Sequence, residues 1–108
     1  MEKAIEKGEK FIVAEAVDYS TQSVISRQVL KSEKGNITVF AFDKGEGLSE
    51  HTAPFDAMVL VLDGKAEVII GGQPSILQAG EAIIMPANVT HALKAIERFK
   101  MMLVMIRG

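Results

Sequence analysis

The sequence predicts an all-β, single-domain barrel, and three observations lead to this fold class. The 108 residues suffice for one hydrophobic core but not for two of ordinary size, so we expect residues 1–108 to form one domain. Short runs rich in β-branched and aliphatic residues recur along the chain, and each has the length of a strand. Glycine, proline and asparagine separate these runs at short intervals, as in sandwiches and barrels built from many short strands.

Charge and composition exclude several functions. The net charge of −2 leaves no broad basic face for a phosphate backbone, so we expect no nucleic-acid partner. The absence of cysteine excludes disulfides and thiolate metal sites and fits a reducing compartment. No apolar run approaches the roughly 20 residues that a bilayer needs, and the opening MEKAIEKGEK lacks the apolar stretch of a secretion signal. We therefore expect a cytoplasmic protein without a membrane partner.

The strands follow in chain order. The opening segment is ambiguous, and we read it as a frayed helix followed by a strand over residues 11–17. Further strands are predicted over residues 24–31, 37–42, 57–63, 66–70, 75–79, 82–85 and 90–96. The last segment fits two elements equally well. A helix would have an apolar stripe of Ile96, Phe99, Leu103 and Ile106, whereas a closing strand would cover residues 100–106. We favour the strand.

Two glycine pairs indicate hairpins. Asp63-Gly64 stands between two apolar runs and is the strongest signal, because a two-residue type I′ turn needs positive φ at both central residues. Gly71-Gly72 marks a second hairpin. Between them, the alternation in AEVII predicts Ala66 and Val68 on the core face and Glu67 towards solvent.

Two segments with recurring glycine, histidine and proline carry the strongest signal of identity. GLSEHTAPFDAMVLVLDG and GEAIIMPANVTHALKA resemble the two consensus motifs of the cupin superfamily, whose members are small RmlC-like jelly-roll barrels, also called double-stranded β-helices. The motifs cover residues 45–64 and 80–95. In the second motif Gly80, Pro86 and His91 keep the family spacing. Asn88 replaces a glycine, which we expect to be tolerated because asparagine adopts left-handed turns more readily than most residues.

The first motif keeps the family spacing but lacks two of the residues that the family uses as metal ligands. His51 stands at a ligand position, whereas Ala53 and Ala57 replace the second histidine and the glutamate of the family. The resemblance implies a divalent transition metal (Zn, Fe, Mn, Ni or Cu), here held weakly or not at all. Only His51 and His91 remain of the four family ligands, and two imidazoles are too few for a tight site. The two histidines could equally be relics that line a pocket.

Asp56 is the candidate third ligand. It precedes the glutamate position by one residue, and in a regular strand that parity sends its carboxylate to the opposite face. Pro54 could mark a bulge that resets the parity. A carboxylate that caps a local turn is an equally good interpretation of Asp56.

The alanines at positions 53 and 57 suggest an apolar ligand cavity. They remove volume and polarity from the barrel centre, and we expect a pocket lined by Ala53, Ala57, Val59, Val61 and Leu93. The leading function is therefore a small-molecule-binding protein with a two-histidine site. A metal-dependent enzyme of oxygenase or isomerase type, using His51, His91 and a third ligand, stays open. So does a metal-free isomerase or epimerase in which an imidazole is the general base.

We also expect a homodimer. A small barrel has exposed strand edges, and VISRQVLK and KMMLVMI carry more apolar surface than one small core can easily cover. The predicted interface contains N-terminal strands within residues 11–31.

Overall fold

The structure, a computed structural model, describes residues 4–107, and most of them lie in β-strands. The elements of this part of the chain are one 3₁₀ turn, η1 (Val13–Glu15), and seven strands: β1 (Val24–Ser32), β2 (Gly35–Phe42), β3 (Gly47–His51), β4 (Asp56–Ile70), β5 (Gln73–Gln78), β6 (Ala82–Met85) and β7 (His91–Ile106). The predicted all-β fold class is confirmed. No helix in residues 4–107 is long and apolar enough to cross a membrane.

Two long strands organise the fold. β4 and β7 pair antiparallel from Asp56 opposite Ile106 to Ile70 opposite His91. The C-terminal half of β7 also pairs with β2, which pairs with β1, whereas the N-terminal half of β7 pairs with β3. In the same way, the first half of β4 pairs with β6 and the second half with β5. The long strands therefore belong to two sheet halves, β1-β2-β7-β4-β6 and β3-β7-β4-β5.

The inner faces of both halves enclose one apolar core. We call this set of buried residues the interior cluster: Phe42, Ala57, Val59, Val61, Ala66, Val68, Leu77, Met85, Leu93, Ala95, Phe99 and Met101. Residues from each half contact one another in this cluster, as expected for a two-layered jelly-roll barrel. The rings of Phe42 and Phe99 stack with their centroids 4.5 Å apart. The predicted orientation of Ala66 and Val68 is confirmed, since both are fully buried.

The hairpin predicted at Asp63-Gly64 is wrong, because β4 continues through these residues. The register between β4 and β7 shifts on either side of them, which identifies a β-bulge. Gly64 has φ +80°, and a Cβ atom there would overlap the carbonyl oxygen of Arg98. Bulges bend a strand and increase its twist. The glycine thus lets one strand pass from one sheet half to the other instead of reversing the chain.

The hairpin at Gly71-Gly72 is confirmed. Both residues have positive φ, 55° and 81°, and Ile70 pairs with Gln73 across the turn. The closing strand is also confirmed, and the helical stripe is excluded. The runs 90–96 and 100–106, predicted as separate strands, are two halves of the continuous strand β7.

The strand predicted over residues 11–17 is wrong. This segment contains the short turn η1 and no strand, and the part of the predicted helix that the structure describes, residues 4–10, is not helical either. Side chains bond the carbonyl groups that a neighbouring strand would otherwise use: Lys100 Nζ donates to Ala14 O at 2.6 Å, and Arg27 Nη1 donates to Ala16 O at 3.1 Å.

The N-terminal segment covers the outer face of the sheet. Ala16 and Val17 are buried there against Val39 and Ala41 of β2, and we call these four residues the exterior cluster. Within residues 11–31 the structure therefore contains one strand, β1, which lies at the edge of the sheet. The homodimer stays a prediction, and a monomeric mass by light scattering at micromolar concentration would contradict it.

Candidate functional site

The two histidines meet at one end of the interior cluster. His51 is the last residue of β3 and His91 the first residue of β7, and the two are direct partners across this ladder. On its other side His91 pairs with Ile70 at the end of β4. His91 is buried, with 6% of its surface exposed, whereas His51 is exposed. The pair therefore has one fixed, buried imidazole and one that faces solvent.

The turn before β7 positions His91. Asn88 has φ +64°, and its N–H donates to the carbonyl oxygen of Ala53 at 2.7 Å. The predicted left-handed conformation at this position is confirmed, because asparagine tolerates the conformation for which the family uses glycine. The departure from the motif leaves the turn intact and keeps His91 at the start of the strand.

Each imidazole uses its Nδ1 atom in the same local contact. Nδ1 of His51 lies 2.8 Å from the carbonyl oxygen of Ser49, and Nδ1 of His91 lies 3.3 Å from that of Val89. A carbonyl oxygen can only accept a hydrogen bond, so these contacts favour the tautomer that carries the proton on Nδ1. In the neutral form of each ring, the lone pair is then on Nε2.

The two Nε2 atoms lie only 3.1 Å apart, in rings whose centroids are 4.3 Å apart. Two unprotonated Nε2 atoms at this distance repel, unless one ring carries a proton there and donates a hydrogen bond to the other, or both nitrogens bind one metal ion that lies off the line between them. Burial lowers the pKa of His91, and the neighbouring His51 lowers it further, although the contact with Val89 O raises it. Protonation of the buried partner is therefore disfavoured.

The geometry fits a shared metal ion. A zinc–imidazole bond is about 2.0–2.1 Å long, so two nitrogens bound to one ion at tetrahedral or right angles lie about 2.9–3.4 Å apart. The observed separation of 3.1 Å falls in that range. Hydrogen-bonded Nδ1 atoms are also what fixes the tautomer and orientation of metal-binding histidines.

Asp56 has a different partner. Its carboxylate is exposed, and Oδ1 accepts a hydrogen bond of 2.8 Å from the backbone N–H of Ala87, in the turn after β6. The neighbouring Ala57 is buried, so the two side chains follow the alternation of a regular strand. Between residues 4 and 107 no group of three or more His, Cys, Asp or Glu side chains is placed to hold one metal ion. The structure thus brings His51 and His91 together without Asp56.

Four of the five predicted pocket residues lie within the interior cluster. Ala57, Val59, Val61 and Leu93 are buried there, while Ala53 is half-buried in the loop before β4. A depression of about 630 Å³ lies between the N-terminal segment and β1, and another of about 250 Å³ lies at the end of the β1–β2 hairpin. None of the five residues lines either depression. The apolar ligand pocket stays a prediction.

One polar cluster has no counterpart in the sequence motifs. Tyr19 Oη donates to Asp63 Oδ2 at 2.6 Å, and the guanidinium of Arg98 lies 4.5 Å from the centre of the tyrosine ring. Burial and then the Asp63 carboxylate raise the pKa of Tyr19 above its usual value. This cluster fastens the N-terminal segment to β4 and β7, and it contains neither histidine. No spacing in the sequence indicates it, because the hydrogen-bonded partners are 44 residues apart.

The comparisons with known proteins agree with this architecture. A family model described as a cupin domain matches residues 38–107. A conserved protein of unknown function from Streptococcus pyogenes is 34% identical, with a TM-score of 0.91 over 99% of this chain and 94% of that one. A cupin 2 conserved barrel domain protein from Leptotrichia buccalis is 38% identical, with a TM-score of 0.87 over 90% of this chain and 47% of that one.

A cupin superfamily protein from Desulfitobacterium hafniense DCB-2 is 25% identical, with a TM-score of 0.90 over 100% of this chain and 99% of the other. No curated protein sequence is significantly similar to the chain.

Proposed function

The chain belongs to the cupin family, and from this premise we propose that it is a small-molecule-binding cupin whose His51–His91 pair holds a divalent transition metal. One observation carries the proposal. The Nε2 atoms lie 3.1 Å apart while both Nδ1 atoms contact carbonyl oxygens, so both Nε2 atoms are close enough to bind one ion. A metal ion is the partner that satisfies both at once.

The two histidines have different tasks in this proposal. Buried His91 is held by the strands on both sides and by its contact with Val89 O, so it gives a fixed donor. Exposed His51 lies towards solvent and leaves a side from which a small molecule can approach. A bound metal would supply Lewis-acid attraction for the donor atoms of that molecule. The apolar residues below the pair exclude water from the inner side of the site.

Metal titration of the untagged protein, purified without chelator, tests the proposal. Co²⁺ is a suitable probe, since its visible absorption changes when imidazole nitrogen replaces water. We expect one ion per chain, and we expect His51→Ala and His91→Ala each to abolish the change. The chain has no other histidine, so imidazole ligation cannot move elsewhere.

Asp56→Asn is the matched control, because it removes the carboxylate that the sequence offered as a third ligand and that the structure bonds to Ala87 N instead. It should bind Co²⁺ as the parent protein does. Binding that both histidine variants retain, or no binding even at millimolar Co²⁺, would contradict the proposal. The metal-dependent and metal-free enzyme alternatives stay predictions.

A further inference from the structure

We infer that the outer face of the sheet half β1-β2-β7-β4-β6 binds a second copy of this chain, in a two-fold arrangement whose axis runs along one row of apolar side chains. We call this row the apolar row. From one edge of the sheet to the other it consists of Ile84, Met58, Val104, Ile37 and Leu30. The inference does not depend on the histidine pair or on a metal.

The register of four ladders places the five side chains of the apolar row next to one another. Met58 of β4 pairs with Ile84 of β6 on one side and with Val104 of β7 on the other. Ile37 of β2 pairs with Val104 on one side and with Leu30 of β1 on the other. Direct partners on antiparallel strands point to the same face of the sheet. The row therefore crosses all five strands, about 19 Å at the usual strand spacing, without a charged residue.

The apolar row lies on the outer face and reaches solvent. Val59 is fully buried in the interior cluster, so its neighbours along β4 point outwards. Ile84 and Leu30, at the two edges, are 62% and 51% exposed, and Ile106 beside the row is 66% exposed. The N-terminal segment covers only the adjoining part of this face, above the exterior cluster. Contiguous exposed apolar patches of this kind mark interaction sites.

The exposed area fits a dimer of ordinary size. The accessible surface of the chain is 6765 Å², whereas a compact monomer of 11.7 kDa is expected to expose about 5,900 Å². The excess of about 900 Å² is close to the roughly 800 Å² that each partner buries in a standard interface. A second copy covers this face on both partners with one contact, because a two-fold interface is self-complementary.

The shape of the face determines the direction of the axis. On one side of the apolar row the N-terminal segment lies on the sheet. On the other side, which we call the open side, the β1–β2 hairpin ends beside the depression of about 250 Å³. Two copies with both segments on the same side would be held apart by them. An axis along the row places each segment at the partner's open side, and it brings each residue of the row opposite its own counterpart.

The charges on the two sides of the apolar row favour the same arrangement. The N-terminal segment, residues 4–20, contains four acidic and two basic residues. The open side carries three basic and two acidic residues, which are Lys31, Lys34, Arg107, Glu33 and Asp56. An axis along the row brings the acidic segment of each copy to the basic open side of its partner. Complementary charge of this kind fixes the orientation of an interface more than it adds to affinity.

Sedimentation velocity of the untagged protein tests the inference, and we expect a dimer at micromolar concentration. The double variant Leu30→Glu/Ile84→Glu should raise its dissociation constant by about tenfold or more, because the dimer would bury unpaired carboxylates in an apolar contact. Both positions are more than half exposed in the single chain, so the variant should keep its fold, which circular dichroism checks. Ile76→Glu is the matched control. Ile76 is 50% exposed but lies on β5, in the other sheet half, so its dissociation constant should equal that of the parent protein.

Cross-linking tests the direction of the axis. The chain has no cysteine, so Ile84→Cys introduces a single thiol. A short bismaleimide should join two copies of this variant, because the position faces its own counterpart across the axis, and Ile76→Cys should remain unlinked. A monomeric mass from micromolar to millimolar concentration would overturn the inference. So would a dimer that the double variant does not weaken, or one in which Ile84→Cys cross-links no better than Ile76→Cys.

Discussion

The interior and exterior clusters are both buried, but different kinds of interaction hold them. In the interior cluster, alternate residues of β4, namely Ala57, Val59 and Val61, face side chains from other paired strands. In the exterior cluster, strand β2 is covered by Ala16 and Val17, which belong to a segment without strand pairing. Hydrogen-bonded strands therefore lie on both sides of the interior cluster but on only one side of the exterior cluster.

This difference indicates which contacts hold the histidine pair in place and which hold only the N-terminal segment. The histidine pair lies at the end of the interior cluster. His51 of β3 is paired with β7, and His91 of β7 is also paired with β4, so these two ladders fix the position of the pair. The N-terminal segment that covers the outer face of β2, which we call the cover, depends instead on single polar contacts. Examples are the hydrogen bonds from Lys100 Nζ to Ala14 O and from Tyr19 to Asp63. We expect changes in the interior to affect both stability and metal binding, and changes in the cover to affect stability alone.

The largest effect is expected at the bulge that lets β4 belong to both sheet halves. Gly64→Ala introduces a Cβ atom that overlaps Arg98 O, in addition to the cost of a positive φ for a residue with a side chain. Strain of the second kind alone costs about 1–3 kcal/mol. We expect Gly64→Ala to lower the free energy of unfolding by more than about 3 kcal/mol, measured by urea denaturation.

Gly72→Ala is the matched control for that change. Gly72 has φ +81°, nearly equal to the +80° of Gly64, but no atom lies within 4 Å of the position of its Cβ. It should show the conformational cost without the overlap. Equal losses in the free energy of unfolding would mean that the overlap of the added Cβ with Arg98 O has no cost, and would contradict this prediction.

The same deletion in the two clusters compares them directly. Val59 in the interior and Val17 in the exterior are both fully buried. Val59→Ala should cost about 2–3 kcal/mol, because strands on both sides prevent the cavity from collapsing. Val17→Ala should cost about 1 kcal/mol, since the covering segment can move inwards. Urea denaturation measures both, and a larger loss for Val17→Ala would reverse the proposed order of the clusters.

Strand β2 shows why the sequence predicts the barrel better than its cover. Its run ITVFAF is almost continuously apolar, because Phe40 and Phe42 face the interior cluster while Val39 and Ala41 face the exterior one. The run therefore indicates a strand buried on both faces but does not say what covers the outer face. The cover is irregular, and its contacts join residues distant in sequence. For the same reason the strand expected over residues 11–17 is wrong.

The sequence predicted that the two histidines lie together, but not the contacts around them. Motif spacing places His51 and His91 together, and the structure brings their Nε2 atoms to 3.1 Å. Whether Asp56 joins them could not be decided from spacing, since Pro54 left the parity of the strand open. The bond from Ala87 N to Asp56 joins two turns that are 31 residues apart, and only the folded chain reveals it.

A change in the polar contacts of the cover should have a smaller effect than the Val59→Ala deletion in the interior. Lys100→Met keeps the apolar stem of the side chain and removes the charged donor to Ala14 O. We expect a loss of about 1.5–2 kcal/mol, the lower part of the usual range for a hydrogen bond that involves a charged group. Limited proteolysis should cleave the variant faster within residues 4–20, and Co²⁺ binding should not change. Weaker Co²⁺ binding would show that the cover and the histidine site are coupled.

The smallest effect concerns Tyr19 and appears only in alkali. Burial and Asp63 raise the pKa of this phenol in the folded state above the usual tyrosine value of about 10. The folded state therefore holds the proton more tightly than the unfolded state, so this contribution to stability is complete below about pH 10 and falls as the pH rises above it. Tyr19→Phe should reduce the alkaline loss of stability between about pH 9 and about pH 11.

The chain contains one tyrosine and no tryptophan, so the ultraviolet absorption of tyrosinate reports Tyr19 alone. In the folded protein its ionisation should occur above the pH at which free tyrosine ionises, and Asp63→Asn should lower that pH by removing the carboxylate. A midpoint at about pH 10 in both proteins would mean that the phenol is free of Asp63 in solution. The polar contacts would then contribute little to the cover, and its apolar residues would hold the N-terminal segment by themselves.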